Sequence, residues 1–169
     1  MPHPSRARSA AHPVRTFLVA AFALGKLSGG TRPRRVLVVF TDSGSYHSSR
    51  GVRLKDLRRL IRGSETLAYG VVVYGERYPW AVDPFGAQTL GELAAASGGK
   101  VYYADRAKRL NEIADGLALR LRHQYAVGFA PADAAKKGEL NKVRVRIKRP
   151  PDYKGDIYVR SREGYLTPE

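Results

Sequence analysis

The sequence predicts an α/β fold: a parallel sheet with flanking helices, followed by a small antiparallel β unit. Three observations carry that prediction. Val36–Thr41 is an unbroken run of apolar or β-branched residues, stopped by Asp42 and Gly44, which is the pattern of a strand buried on both faces. Further along, runs of this kind alternate with segments of helical period, as they do where crossover helices join parallel strands. At His123 the period drops from 3.6 to 2, the alternation of strands with one inward and one solvent face.

In chain order, residues 1–12 are rich in Pro, Ser, Arg and Ala and read as a disordered tail. Pro13 suits a first helical position. From there Val14, Phe17, Leu18, Ala21 and Leu24 share one helical face, with Gly25 or Gly29 as the stop. The same stretch also reads as a signal peptide, with Arg6, Arg8 and Arg15 in front and Ala21-Phe22-Ala23 as a small-x-small site. That site lies inside the apolar stretch rather than after it, which favours a packed helix. No stretch is long enough to span a membrane.

Val36–Thr41 is the first strand. Val52, Leu54, Leu57, Leu60 and Ile61 then mark a helix whose other face is Arg53, Lys55, Arg58, Arg59 and Arg62, closed by Gly63. Leu67–Tyr74 is a second buried strand, and 75–86 a long loop with Tyr78, Trp80 and Phe85. A helix over about Ala87–Ser97 turns Leu90, Leu93 and Ala94 inward and stops at Gly98-Gly99. Lys100–Ala104 is a short third strand. Asp105 is placed to cap a helix with Leu110, Ile113, Leu117 and Leu121 as its buried stripe. The antiparallel unit, residues 123–169, is expected to use Tyr125–Phe129, Val143–Ile147 and Ile157–Val159 as strands. Residues 13–122 form the α/β domain.

With 169 residues and 43% hydrophobic content, the chain has enough apolar surface for one domain with a modest core. It has no cysteine, which excludes disulfides and thiolate metal sites. His3, His12, His47 and His123 show no ligand spacing. Lys and Arg number 30 against 15 Asp and Glu. That excess predicts attraction to polyanions and says nothing about fold.

Asp42 is the first candidate site residue, because open α/β sheets bind ligands at the carboxyl ends of their strands. An Asx turn or helix cap is the alternative role for Asp42 and Ser43. Lys142, Arg144, Arg146 and Lys148 line one face of the expected strand, and Arg160 and Arg162 extend it as a surface for polyanions or a partner. No nucleophile–base pair, paired carboxylates or phosphate-cradling glycine loop is present, which disfavours an enzyme.

Several segments together resemble a family. They are Val36–Asp42, the run Leu93-Ala94-Ala95-Ala96-Ser97-Gly98-Gly99-Lys100-Val101-Tyr102-Tyr103, Leu119–Phe129, Val143–Lys148, and Arg162-Glu163-Gly164-Tyr165. In this order and spacing, residues 34–169 resemble the C-terminal portion of bacterial proteins with a von Willebrand factor type A-related domain. The resemblance implies a partial Rossmann-like, von Willebrand A-like sheet that binds protein ligands, in an exported or cell-envelope protein. It also implies a divalent ion at the carboxyl edge of the sheet, held by an Asp-x-Ser-x-Ser loop, a Thr and a later Asp, oxygen ligands of the kind Mg²⁺ prefers. Asp42 matches the later Asp, and the first strands of the family, with the other ligand loops, are expected to be missing. Asp42-Ser43-Gly44-Ser45 also reads as a shortened Asp-x-Ser-x-Ser; topology favours the first reading. Under either, Asp42, Ser43 and Ser45 offer too few fixed oxygens, and Mg²⁺ binding no better than millimolar is the expected outcome of a calorimetric titration.

Three functions follow as expectations. The first is a non-enzymatic protein-interaction module with an incomplete metal-dependent adhesion site and no cofactor. The second is a cationic nucleic-acid or polyanion binder. The third is a metal-dependent ligand-binding domain, if upstream sequence completes the site. Because the family's fourth strand lies beside its first, Val36, Val38 and Phe40 are expected to stand on an open sheet edge, available to another protein or a second copy.

Overall fold

The structure, a computed structural model, describes residues 16–31, 35–41, 53–74, 84–130 and 138–167. In chain order its elements are α1 (Thr16–Ser28), β1 (Arg35–Thr41), α2 (Leu54–Gly63), β2 (Thr66–Val73), α3 (Pro84–Ser97), β3 (Val101–Ala104), α4 (Ala107–Arg122), β4 (Leu140–Lys142) and β5 (Gly164–Leu166).

The first three strands make a parallel sheet in the order β1-β2-β3. Strand β2 is central. Its even-numbered side chains face one layer of helices and its odd-numbered ones the other, the period-2 alternation of any strand. On one face Ala68 packs with Leu24 of α1, Leu57 and Ile61 of α2, and Leu93 and Ala96 of α3, with Leu37 of β1 against them. On the other, Val71 packs with Ala104 and with Ile113 of α4, bordered by Val38, Val73, Tyr102 and Leu110. The crossover helices α2 and α3 therefore share a face, as two successive crossovers of one hand require. The fold is a parallel sheet flanked by helices, with a small antiparallel unit, consistent with a generic Rossmann-like α/β architecture.

Helix boundaries follow local chemistry. Helix α1 runs through Gly25 and stops at Ser28, whose hydroxyl donates to the Leu24 carbonyl (2.8 Å). Its Leu24 is buried in the core while Val19 and Phe22 face out. Helix α4 begins one residue later than expected: Arg106, not Asp105, occupies the cap position, and it makes no side-chain cap bond. Asp105 instead lies 3.8 Å from the Arg106 guanidinium.

The antiparallel unit departs from expectation in its residues. It pairs Leu140 with Leu166, Asn141 with Tyr165 and Lys142 with Gly164, and is prolonged by Val143 N–H donating to the Glu163 carbonyl (3.0 Å). The expected strands Tyr125–Phe129, Val143–Ile147 and Ile157–Val159 carry no strand ladder. Their apolar members are uncovered: Tyr125 is 93% exposed, Val127 80% and Ile147 56%. Alternation shows which residues share a face. It does not supply the apolar layer that makes a ladder worth forming.

Candidate functional site

Asp42, Ser43 and Ser45 follow the last residue of β1 and lie outside the described residues. Among the described residues no group of three His, Asp or Glu could hold a metal ion. No described helix is long and apolar enough to cross a membrane.

Strand β1 is an edge strand. All of Arg35–Thr41 pairs with β2 on one side, and among the described residues no strand neighbours β1 on the other. Neither Tyr125–Phe129 nor Val143–Ile147 lies on that edge as a strand. Leu37 and Val38 point into the two cores, Val36 is half-buried, and Phe40 is 66% exposed. Arg35, at the start of β1, turns its side chain inward. Its guanidinium donates to the carbonyls of Leu27 and Ser28 at the end of α1 (both 3.2 Å) and pairs with Glu65 (3.3 Å).

The basic candidates divide. Lys142, Arg144, Arg146 and Lys148 are exposed. Arg160 is exposed but leans on the α3–β3 turn, donating to the Gly99 carbonyl (3.5 Å). Arg162 is half-buried and committed elsewhere. Its Nη2 donates to the carbonyls of Ile61 (3.2 Å), Arg62 (3.4 Å) and Ser64 at the end of α2. Burial lowers the Arg162 pKa, and Glu65 opposes that shift. Glu163 pairs with Arg62 (2.8 Å).

Two segments that carry the sequence resemblance meet at this point. Ser97 is fully buried. Its hydroxyl accepts from the Ala68 N–H (2.8 Å) and donates to the Ala94 carbonyl (2.7 Å), so it serves a β2 amide that lies beyond the start of β3. Gly98 has φ +90°, and the Ser161–Arg162 backbone crosses directly over it. A Cβ on Gly99 would run into the Ala68 carbonyl. The Ser97-Gly98-Gly99 turn and the Arg162-Glu163-Gly164 segment thus form one structural clasp, which the Arg162 side chain ties to the end of α2.

A further group of side chains escapes a reading of the sequence because its members are far apart in the chain. Lys100 precedes β3, Arg120 lies in the last turn of α4, and Arg160 comes from the C-terminal segment. The charges of Arg120 and Arg160 act on Lys100 and on Tyr69, and Arg160 reaches the Gly99 carbonyl beside Lys100. The Lys100 ammonium stands over the Tyr102 ring, 4.7 Å from its centroid, and the two tyrosine rings stack at 6.5 Å. Burial lowers the Lys100 pKa, and the nearby charges of Arg160 and Arg120 lower it further. Tyr69 is raised, by burial first and then by Tyr102, while Arg120, a side-chain hydrogen bond with Gln124, and Arg160 act the other way.

Compared with known proteins, the chain matches no family model, no curated protein and no solved structure.

Proposed function

We propose that the chain is a non-enzymatic protein-interaction module of the von Willebrand A-like class, and that it engages its partner by pairing a strand with the outer edge of β1. The observation that carries this reading is that, among the described residues, β1 has a strand neighbour on one side only over Arg35–Phe40. An apolar edge strand offers a row of N–H and C=O groups to another chain, and β1 does so over seven residues against the four of β3. Added strands of this kind gain affinity from the main chain and specificity from alternate side chains; Phe40, exposed at the carboxyl end of β1, is the side chain placed to contribute. The resemblance of residues 34–169 supports the same class, since it implies a sheet whose neighbouring strand comes from outside this segment. An ion-dependent version of the function rests on Asp42, Ser43 and Ser45.

Sedimentation combined with amide exchange tests the edge. The expected result is association at high concentration, with the β1 amides that point away from β2 protected in the associated state and exchanging freely on dilution. A monomer at high concentration whose outward β1 amides exchange freely would overturn the proposal.

A further inference from the structure

We propose that residues 144–149, which continue β4 beyond its ladder, are a docking edge for an extended peptide segment that alternates acidic with apolar residues. This edge belongs to the antiparallel unit and is independent of β1.

The β4 ladder ends abruptly. Lys142 pairs with Gly164, and the Val143 N–H donates to the Glu163 carbonyl (3.0 Å). There the opposing segment leaves. The Glu163 N–H turns to the Ala96 carbonyl (3.4 Å), and Ser161–Arg162 crosses over Gly98. Residues 144–149 run on without that partner. Among the described residues their N–H and C=O groups make no backbone hydrogen bond. Pro150 closes the stretch, since it has no N–H to offer. What remains is about 5–6 residues, the usual length of a strand.

The side chains say what would pair there. Lys142, Arg144, Arg146 and Lys148 alternate with Val143, Val145 and Ile147. Val145 and Ile147 are exposed, without a covering layer from this chain. From Lys142 to Arg149 there is no acidic residue, and among the described residues none of these basic side chains has a carboxylate partner. Charge then selects the occupant. A second copy would set Lys and Arg opposite Lys and Arg, and like charges directly across a ladder are destabilising. An acidic strand instead gains an opposite-charge pair at each basic position, while its alternate apolar residues cover Val145 and Ile147. A nucleic acid meets the charges but has no peptide backbone to extend the ladder.

The test adds to the full chain a synthetic peptide of alternating Glu and Val, about eight residues long, enough to span 144–149. Amide chemical shifts and amide exchange are followed by NMR. The expected result is saturable, one-to-one binding that protects alternate amides within 144–149. A block peptide of the same composition, all Glu and then all Val, should bind about tenfold more weakly. Val145→Thr with Ile147→Thr, at exposed positions, should weaken the alternating peptide by about fivefold and leave the block peptide unaltered. Arg144→Gln with Arg146→Gln should weaken both. Equal binding of the alternating and block peptides would overturn the docking edge and leave only diffuse charge. Protection of these amides in the dilute free chain would overturn it too, because another segment of the same chain would already pair there. So would protection that grows with protein concentration, the mark of a second copy, or equal protection by an oligonucleotide.

Discussion

Ser97 shows how much a single hydroxyl can hold. The Ala68 amide lies beyond the start of β3, so no ladder bond from that strand reaches it, and a buried N–H without a partner costs about 1–3 kcal/mol. Ser97 takes that bond and returns its own proton to Ala94 within α3. Ser97→Ala should therefore destabilise the chain by about 1–3 kcal/mol, read as a lower urea midpoint with an unchanged slope. Ser97→Val, which adds bulk at a site with no exposed surface, should cost more. Beside it, Gly98 is in the left-handed region that L side chains avoid and is crossed by the chain, and Gly99 touches a carbonyl. The Ser-Gly-Gly run is thus explained by backbone geometry, without any appeal to a ligand.

At the scale of elements, α1 and α2 end in the same way. Each leaves carbonyls without partners inside the helix, and each receives an arginine from elsewhere in the chain: Arg35 for α1 and Arg162 for α2. Positive charge at a helix C-terminus is favoured by the helix dipole as well as by the hydrogen bonds. Both arginines bury an Nε without a partner, which places their contribution toward the low end for a charged hydrogen-bonding group, about 1.5 kcal/mol. Arg162→Met is expected to lower stability by about that amount and, in limited proteolysis, to release the C-terminal segment before the sheet is cut. Equal cleavage of both regions in wild type and variant would contradict the clasp. The antiparallel pair β4–β5 reaches α2 at this junction, where Leu166 lies beside Gly63.

For the whole molecule, charge and exposure matter more than any one element. A net charge of +15 gives long-range attraction for polyanions that salt screens over roughly 8–10 Å. Lys142, Arg144, Arg146 and Lys148 are exposed and serve that diffuse attraction. Arg162 does not, being spent on α2. On a heparin column the chain should elute at moderate salt, and binding to oligonucleotides should fall steeply with salt and be indifferent to base sequence. Replacing Arg144 and Arg146 by Gln should shift elution more than replacing Arg162. Binding that persisted at high salt, or discriminated between sequences, would favour a nucleic-acid reader over the interaction module.

The sequence by itself determined the alternation of elements, because buried strands and amphipathic helices write their periods locally. Val36–Thr41, Leu67–Tyr74 and Lys100–Ala104 lie within a residue of the observed strands, and Leu57, Ile61, Leu90, Leu93, Ile113 and Leu117 are buried as their spacing predicts. Only the tertiary structure decided which residues of the C-terminal segment pair. Tyr125, Val127, Val145 and Ile147 have strand composition but no covering layer, whereas Leu140–Lys142 and Gly164–Leu166 are brought together where Arg162 and Glu163 clasp α2. The roles of the arginines were equally out of reach. Arg35, Arg160 and Arg162 look alike in sequence, yet one closes α1, one reaches the Gly99 carbonyl, and one closes α2. A charged side chain takes its role from the carbonyls and charges that long-range contacts place beside it, and those partners stand up to 101 residues away in the chain.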